Sequence, residues 1–204
     1  MIFASLFTVV NPLGAVPVWL AMTPDYSKVE RNRAALMTSL YFFLILISFF
    51  VAGTFILNFF GISLNAMRIA GGLIILSSGY ALLSGKFAES RAVGKEVKKE
   101  ALEKTDITFS PMAMPMLSGP GSISLLISLY AEHTGWDIRA IIALAIFATA
   151  IFVLIILRSA PFLFKLLGVG GIKAMSRIMG FLVMAIGIEY IIAGVVGLVD
   201  SLMK

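Results

Sequence analysis

Two short stretches carry the residues best placed to do chemistry, "NPLG" at residues 11–14 and "SGPGS" at residues 118–122. Proline removes a backbone N–H and clashes with the carbonyl one turn back. Glycine lets the chain leave helical geometry. Inside an apolar segment such a pair interrupts a helix, leaving free N–H groups where it restarts and free carbonyls where it stopped. The restarting end carries partial positive charge and suits a carboxylate. The stopping end suits an ammonium or a cation. A zwitterion fits both, with backbone providing most of the recognition. The candidate binding residues are therefore Asn11, Pro12, Leu13 and Gly14 together with Ser118, Gly119, Pro120, Gly121 and Ser122. Among them Asn11, Ser118 and Ser122 can add side-chain hydrogen bonds.

Other chemistry is scarce. Glu189 lies twelve residues after Arg177, about 18 Å along a helix, which puts a carboxylate deep in an apolar segment. A group there usually faces a cavity or the bundle interior, and it is the candidate for coupling to protons. The chain has no cysteine and one histidine, His133, in a polar stretch, so no metal site is expected. A hydrolase built on Ser118 or Ser122 would lack a histidine or lysine base within the segments, so no enzyme is expected. No cofactor is implied beyond a coupling proton or sodium ion, and no nucleic acid.

These residues must be positioned by membrane-spanning helices. The 204 residues are 60% hydrophobic and 13% charged, with a mean hydropathy of +1.02, where a soluble domain would be about half apolar and a quarter charged. Runs such as "LMTSLYFFLILISFFVAGTFIL" at 36–57 match the length that crosses a hydrocarbon core. Six spans are expected, at 2–21, 35–57, 66–84, 107–130, 138–159 and 177–199. The opening "MIFASLFTVV" has no basic n-region or small-residue cleavage site, so a removable signal peptide is not expected. Thirteen of the 16 Lys and Arg residues fall after spans 1, 3 and 5, which makes those loops cytoplasmic and both termini external. The bilayer is then the chain's constant partner; the pattern is silent on oligomeric state.

The punctuation repeats. Pro12 precedes Arg68 of "RIAGG" by 56 residues, and Pro120 precedes Arg177 of "RIMGF" by 57. Gly72 and Gly79 recur as Gly187 and Gly194. Each half reads as a broken span, a plain span and a glycine-bearing span, so residues 1–85 and 107–204 form two repeats joined by a charged linker at 86–106. Three spans per repeat invert the second copy, and a pseudo-two-fold axis would bring the two breaks together at the midplane, as in many transporters. The fold class expected is an all-α integral membrane protein of six helices, with helices 1 and 4 discontinuous. Arg68 and Arg177 read as interfacial anchors.

With "VVNPLGAVPVWLAMTP", "RIAGGLIIL", "DITFSPMAMPMLSGPGSIS" and "RIMGFLVMAIGIEYIIAG" in register, the chain resembles the MarC family over essentially its whole length. The specific element is an NPxG break combined with Pro111, Pro115, Gly119, Pro120 and Gly121. The resemblance implies an inner-membrane protein of two inverted three-helix repeats. Within the family it points to the small neutral amino acid transporters of the SnatA type, which move glycine and alanine on an ion gradient. It also implies that the site is Asn11, Pro12 and Gly14 with residues 118–122. The chain departs from the pattern at Ala15, where a polar residue, often asparagine, is expected, and at Glu189, where glutamine is commoner. The alternatives are an exporter of other small solutes, a channel or a non-transporting membrane protein.

Overall fold

The computed structural model describes residues 2–85 and 107–203. Described residues are helical with no strand: α1 (Ile2–Val10), α2 (Pro12–Met22), α3 (Lys28–Phe60), α4 (Leu64–Ser84), α5 (Thr108–Leu117), α6 (Pro120–Glu132) and α7 (Trp136–Leu202). The proposed linker at 86–106 lies outside the described residues.

Local chemistry sets the helix ends. Ser27 and Glu30 form a reciprocal capping box that starts α3, and Gly61 at φ 65° ends it. Ser63 Oγ accepts from Ala66 N at 3.1 Å to start α4, which ends on Gly85 at φ 76°. The expected spans at 2–21, 35–57 and 66–84 thus sit inside α1–α2, α3 and α4.

The stretch 158–177 differs from expectation. Read as a loop, it is helical on both sides of one residue, Gly168, whose φ 63° and ψ −179° glycine alone adopts readily. Leucines and phenylalanines around Lys165 continue the helix, and Pro161 does not end it. At the helical rise the 67 residues of α7 would measure about 100 Å, far more than one crossing of an apolar core about 30 Å thick. Gly168 divides α7 into two arms, 136–167 and 169–202.

The second arm packs antiparallel on α4 along a glycine seam. A methyl group at Gly72 would lie 2.7 Å from the carbonyl oxygen of Gly187, and one at Gly79 would lie 2.7 Å from that of Gly180. Gly194 faces Asn65 O and Ile69 farther along. Only glycine permits such backbone approach, the device by which membrane helices pack without a hydrophobic drive. Fully buried Leu6, Trp19, Phe42, Leu46, Ile75 and Met112 fill the core. Phe55, Phe59, Phe162 and Phe181 stay exposed on the outer surface, as a bilayer allows.

One interval recurs in the architecture. Helices α2 and α6 begin at Pro12 and Pro120, and α3 and α7 begin at Lys28 and Trp136, 108 residues apart each time. Arg31 and Arg139 share the interval and a task. Arg31 Nη2 donates to Thr23 O (2.6 Å) just after α2, and Arg139 Nε donates to His133 O (2.8 Å) just after α6. Each arginine satisfies carbonyls at the end of the half-helix before it.

Candidate functional site

At the first break, α1 stops at Val10 and α2 restarts at Pro12, whose missing N–H costs nothing at that position. Between them Asn11 is in the left-handed region, φ 48° and ψ 64°. It is the only non-glycine residue at positive φ among those described. Asparagine is one of the few side chains that tolerate this conformation. Its Oδ1 accepts from Gly14 N at 3.3 Å, while its Nδ2 has no partner although the residue is 1% exposed. The opposing Leu13 packs against the core.

The second break is built differently. Its first half is an irregular wide coil in α5. Pro111 and Pro115 remove two donors, and the residues before them, Ser110 and Met114, are extended. Residues preceding proline are biased that way. The coil closes with Ser118 N on Ala113 O at 2.8 Å; Gly119 is extended, and Pro120 starts α6 at a bend of 64°. No side chain caps α6, so the N–H groups of Gly121 and Ser122 have no intrahelical partner. Ser122 Oγ is satisfied by Gly119 O at 2.8 Å, but the fully buried Ser118 Oγ has no partner.

Helix α4 runs past both breaks. A methyl at Gly121 would meet Ile75 at 2.8 Å and Val9, two residues before Asn11, at 3.7 Å. One at Gly14 would meet the Asn11 amide nitrogen at 2.5 Å and Leu82 at 3.4 Å. The two breaks are therefore neighbours. Of the three proposed side-chain contributors, Ser122 is internally satisfied, Asn11 is half used, and Ser118 is wholly available. An unpaired buried amide or hydroxyl costs about 1–3 kcal/mol, and the breaks hold one of each, Asn11 Nδ2 at the first and Ser118 Oγ at the second.

Glu189 stands elsewhere. With Arg68, Glu132, Ser5 and Tyr190 it lines a cavity of about 310 Å³, which no break residue lines. Arg68 Nη2 and Glu132 Oε1 pair at 2.5 Å in its wall, and Tyr190 OH donates to Leu125 O at 3.4 Å. A second cavity of about 330 Å³ is lined by Gly14, Pro17, Leu82, Lys173, Ser176 and Arg177. Four positions correspond between them: Pro17 with Leu125, Leu82 with Tyr190, Gly85 with Ala193, and Arg68 with Arg177. The first three pairs are 108 residues apart and the last 109. The anchoring arginines of the sequence reading thus line matching cavities at opposite ends of α4. Arg177 makes no ion pair among the described residues. Neither cavity was foreseeable from composition, though the arginine interval was the available signal. His133 stays in the turn after α6, its Nδ1 3.0 Å from Leu129 O, and no metal-binding cluster occurs among the described residues.

Long apolar helices, one bent pair and buried polar groups at the breaks define an integral membrane protein with discontinuous segments. The model of the MarC family of integral membrane proteins matches residues 1–199, and the chain belongs to that family. It is 37% identical to a UPF0056 membrane protein of Buchnera aphidicola subsp. Schizaphis graminum, over 98% of this chain and 93% of that one. It is 36% identical to the UPF0056 inner membrane protein MarC of Citrobacter koseri, over 96% and 93%. With the UPF0056 membrane protein YvbG of Bacillus subtilis it shares 33% identity over 97% and 93%. No solved structure matches the chain.

Proposed function

We propose that the chain is a secondary transporter of small neutral amino acids, glycine and alanine, held at the two breaks and driven by an ion gradient, with protons as the coupling ion. The observation that carries this reading is the adjacency of the breaks, where Asn11 Nδ2 and Ser118 Oγ are buried without partners. Asn11 Nδ2 and the open N–H groups of α6 would hold the carboxylate, and carbonyls closing α1 the ammonium. Tight packing of Gly14 and Gly121 leaves little room for a substrate side chain.

The recurring interval supports a six-span reading: α1 with α2, then α3, α4, α5 with α6, and the two arms of α7, arranged as inverted repeats. The two corresponding cavities, at opposite ends of α4, support alternating access, and the second reaches the breaks at Gly14. Relatives named as inner membrane proteins support that location, and the basic residues after spans 1, 3 and 5 support external termini. Glu189 would take up and release the coupling proton from its cavity. The test is uptake of radiolabelled glycine or alanine into proteoliposomes, with and without an imposed pH gradient. Saturable, gradient-stimulated uptake is expected; no saturable uptake of any small amino acid overturns the proposal.

A further inference from the structure

A third cavity, of about 330 Å³, lies between the first turn of α3 and the part of α7 around Arg158. It is lined by Lys28, Arg31, Asn32, Arg158, Pro161 and Phe162. Three cations share this space, and among the described residues no carboxylate lines it. Like charges held this close repel unless an anion lies between them.

The corresponding arginine in the other half shows what an occupied version looks like. Arg139 lies 3.8 Å over the ring of Tyr130 and 5.8 Å from that of Trp136, and it also donates to His133 O and Tyr130 O. Counting 108 residues back, Met22 stands in place of Tyr130 and Lys28 in place of Trp136. Arg31 is held by Thr23 through Nε (3.3 Å) and Nη2 (2.6 Å), which leaves Nη1 for another acceptor. Where the second half seats two aromatic rings, the first leaves a cavity and adds two cations.

The depth is informative. At the helical rise Arg158 stands about 33 Å along α7 from Trp136, roughly the thickness of a hydrocarbon core, which puts the cavity at headgroup level. Phe162, one turn beyond Arg158 and 65% exposed, adds an apolar wall to the cavity. We propose that this cavity binds a phosphate group, carried either by an anionic lipid or by free phosphate. Arg31 is the positioned donor, and Lys28 and Arg158 close on the remaining oxygens as charge-assisted donors. Basic pockets between spanning helices bind lipid headgroups in this way.

The test uses the full chain, delipidated in neutral detergent. Native mass spectrometry compares retention of phosphatidylglycerol and phosphatidylcholine with identical acyl chains. A second arm measures the melting shift given by millimolar inorganic phosphate against chloride at equal ionic strength. At about fivefold per cation, Lys28→Gln with Arg158→Gln should weaken phosphatidylglycerol retention about thirtyfold. Arg158→Gln alone should weaken it about fivefold, and Arg33→Gln, outside the cavity, should leave it unchanged. Stabilisation by phosphate without lipid preference, lost in the double variant, would identify free phosphate as the source. The proposal is overturned if neither probe is preferred, or if the double variant binds both as the parent does. It is equally overturned if Arg33→Gln weakens retention as much as Arg158→Gln.

Discussion

Asn11 combines three features that can be separated by replacing it with glycine and, in parallel, with alanine. Both changes remove the unpartnered amide, so that contribution cancels when the two variants are compared. Alanine must still adopt φ 48°, which costs an L-residue about 1–2 kcal/mol that glycine avoids. Glycine also caps a helix within a few tenths of a kcal/mol of asparagine, whereas alanine loses about 1. Against this, glycine gives the unfolded chain more freedom, worth about 0.4–1 kcal/mol. Asn11→Gly should therefore be more stable than Asn11→Ala by about 1–2 kcal/mol, a difference of roughly 3–6 °C for a chain of this size. Removing a buried orphan donor returns about 1–3 kcal/mol, so Asn11→Gly should melt no lower than the parent. Transport should nonetheless fall about tenfold or more in both variants, because the donor to the substrate carboxylate is gone. Thermal unfolding in detergent, followed by tryptophan fluorescence, gives the first quantity, and glycine uptake into proteoliposomes gives the second. A glycine variant that melts below the alanine variant would refute the backbone argument. One that transports at the parent rate would remove Asn11 from the site.

Three further outcomes follow from the same geometry. Gly79→Ala should cost about 1–2 kcal/mol, since its methyl meets the Gly180 carbonyl oxygen at 2.7 Å and backbone cannot turn aside; Gly170→Ala, with open space around it, should be neutral in the same melting assay. Ser118→Ala should raise the melting temperature by removing a buried unpaired hydroxyl, worth about 1–2 kcal/mol, while the KM for glycine rises with little change in the fold by circular dichroism. Glu189→Gln should abolish accumulation driven by a pH gradient and leave counterflow exchange of glycine intact; unchanged accumulation would assign coupling to another group.

The breaks were legible because their causes are local. Pro12 and Pro120 cannot continue a helix, and the chain shows the interruption at both without tertiary information. What could not be read depends on partners. Gly168 ends nothing by composition, since Gly170 and Gly171 beside it remain helical; only the fold selects which glycine turns. The irregular α5 follows from two prolines acting four residues apart, an effect visible only once the extended Ser110 and Met114 are seen together. Glu189 lines a cavity, but its neighbours there, Arg68 and Glu132, come from α4 and α6, and no spacing within its own segment names them. The task shared by Arg31 and Arg139 was within reach, since their interval equals that of the two prolines.

The glycine seam has a consequence of its own. Its two close contacts, Gly72 with Gly187 and Gly79 with Gly180, exchange places when every number is shifted by 108. That is the property of an isologous surface, in which one patch meets a copy of itself. Because each close contact is a backbone meeting its own counterpart, the seam between α4 and the second arm of α7 would equally suit two separate copies of one such helix packed antiparallel.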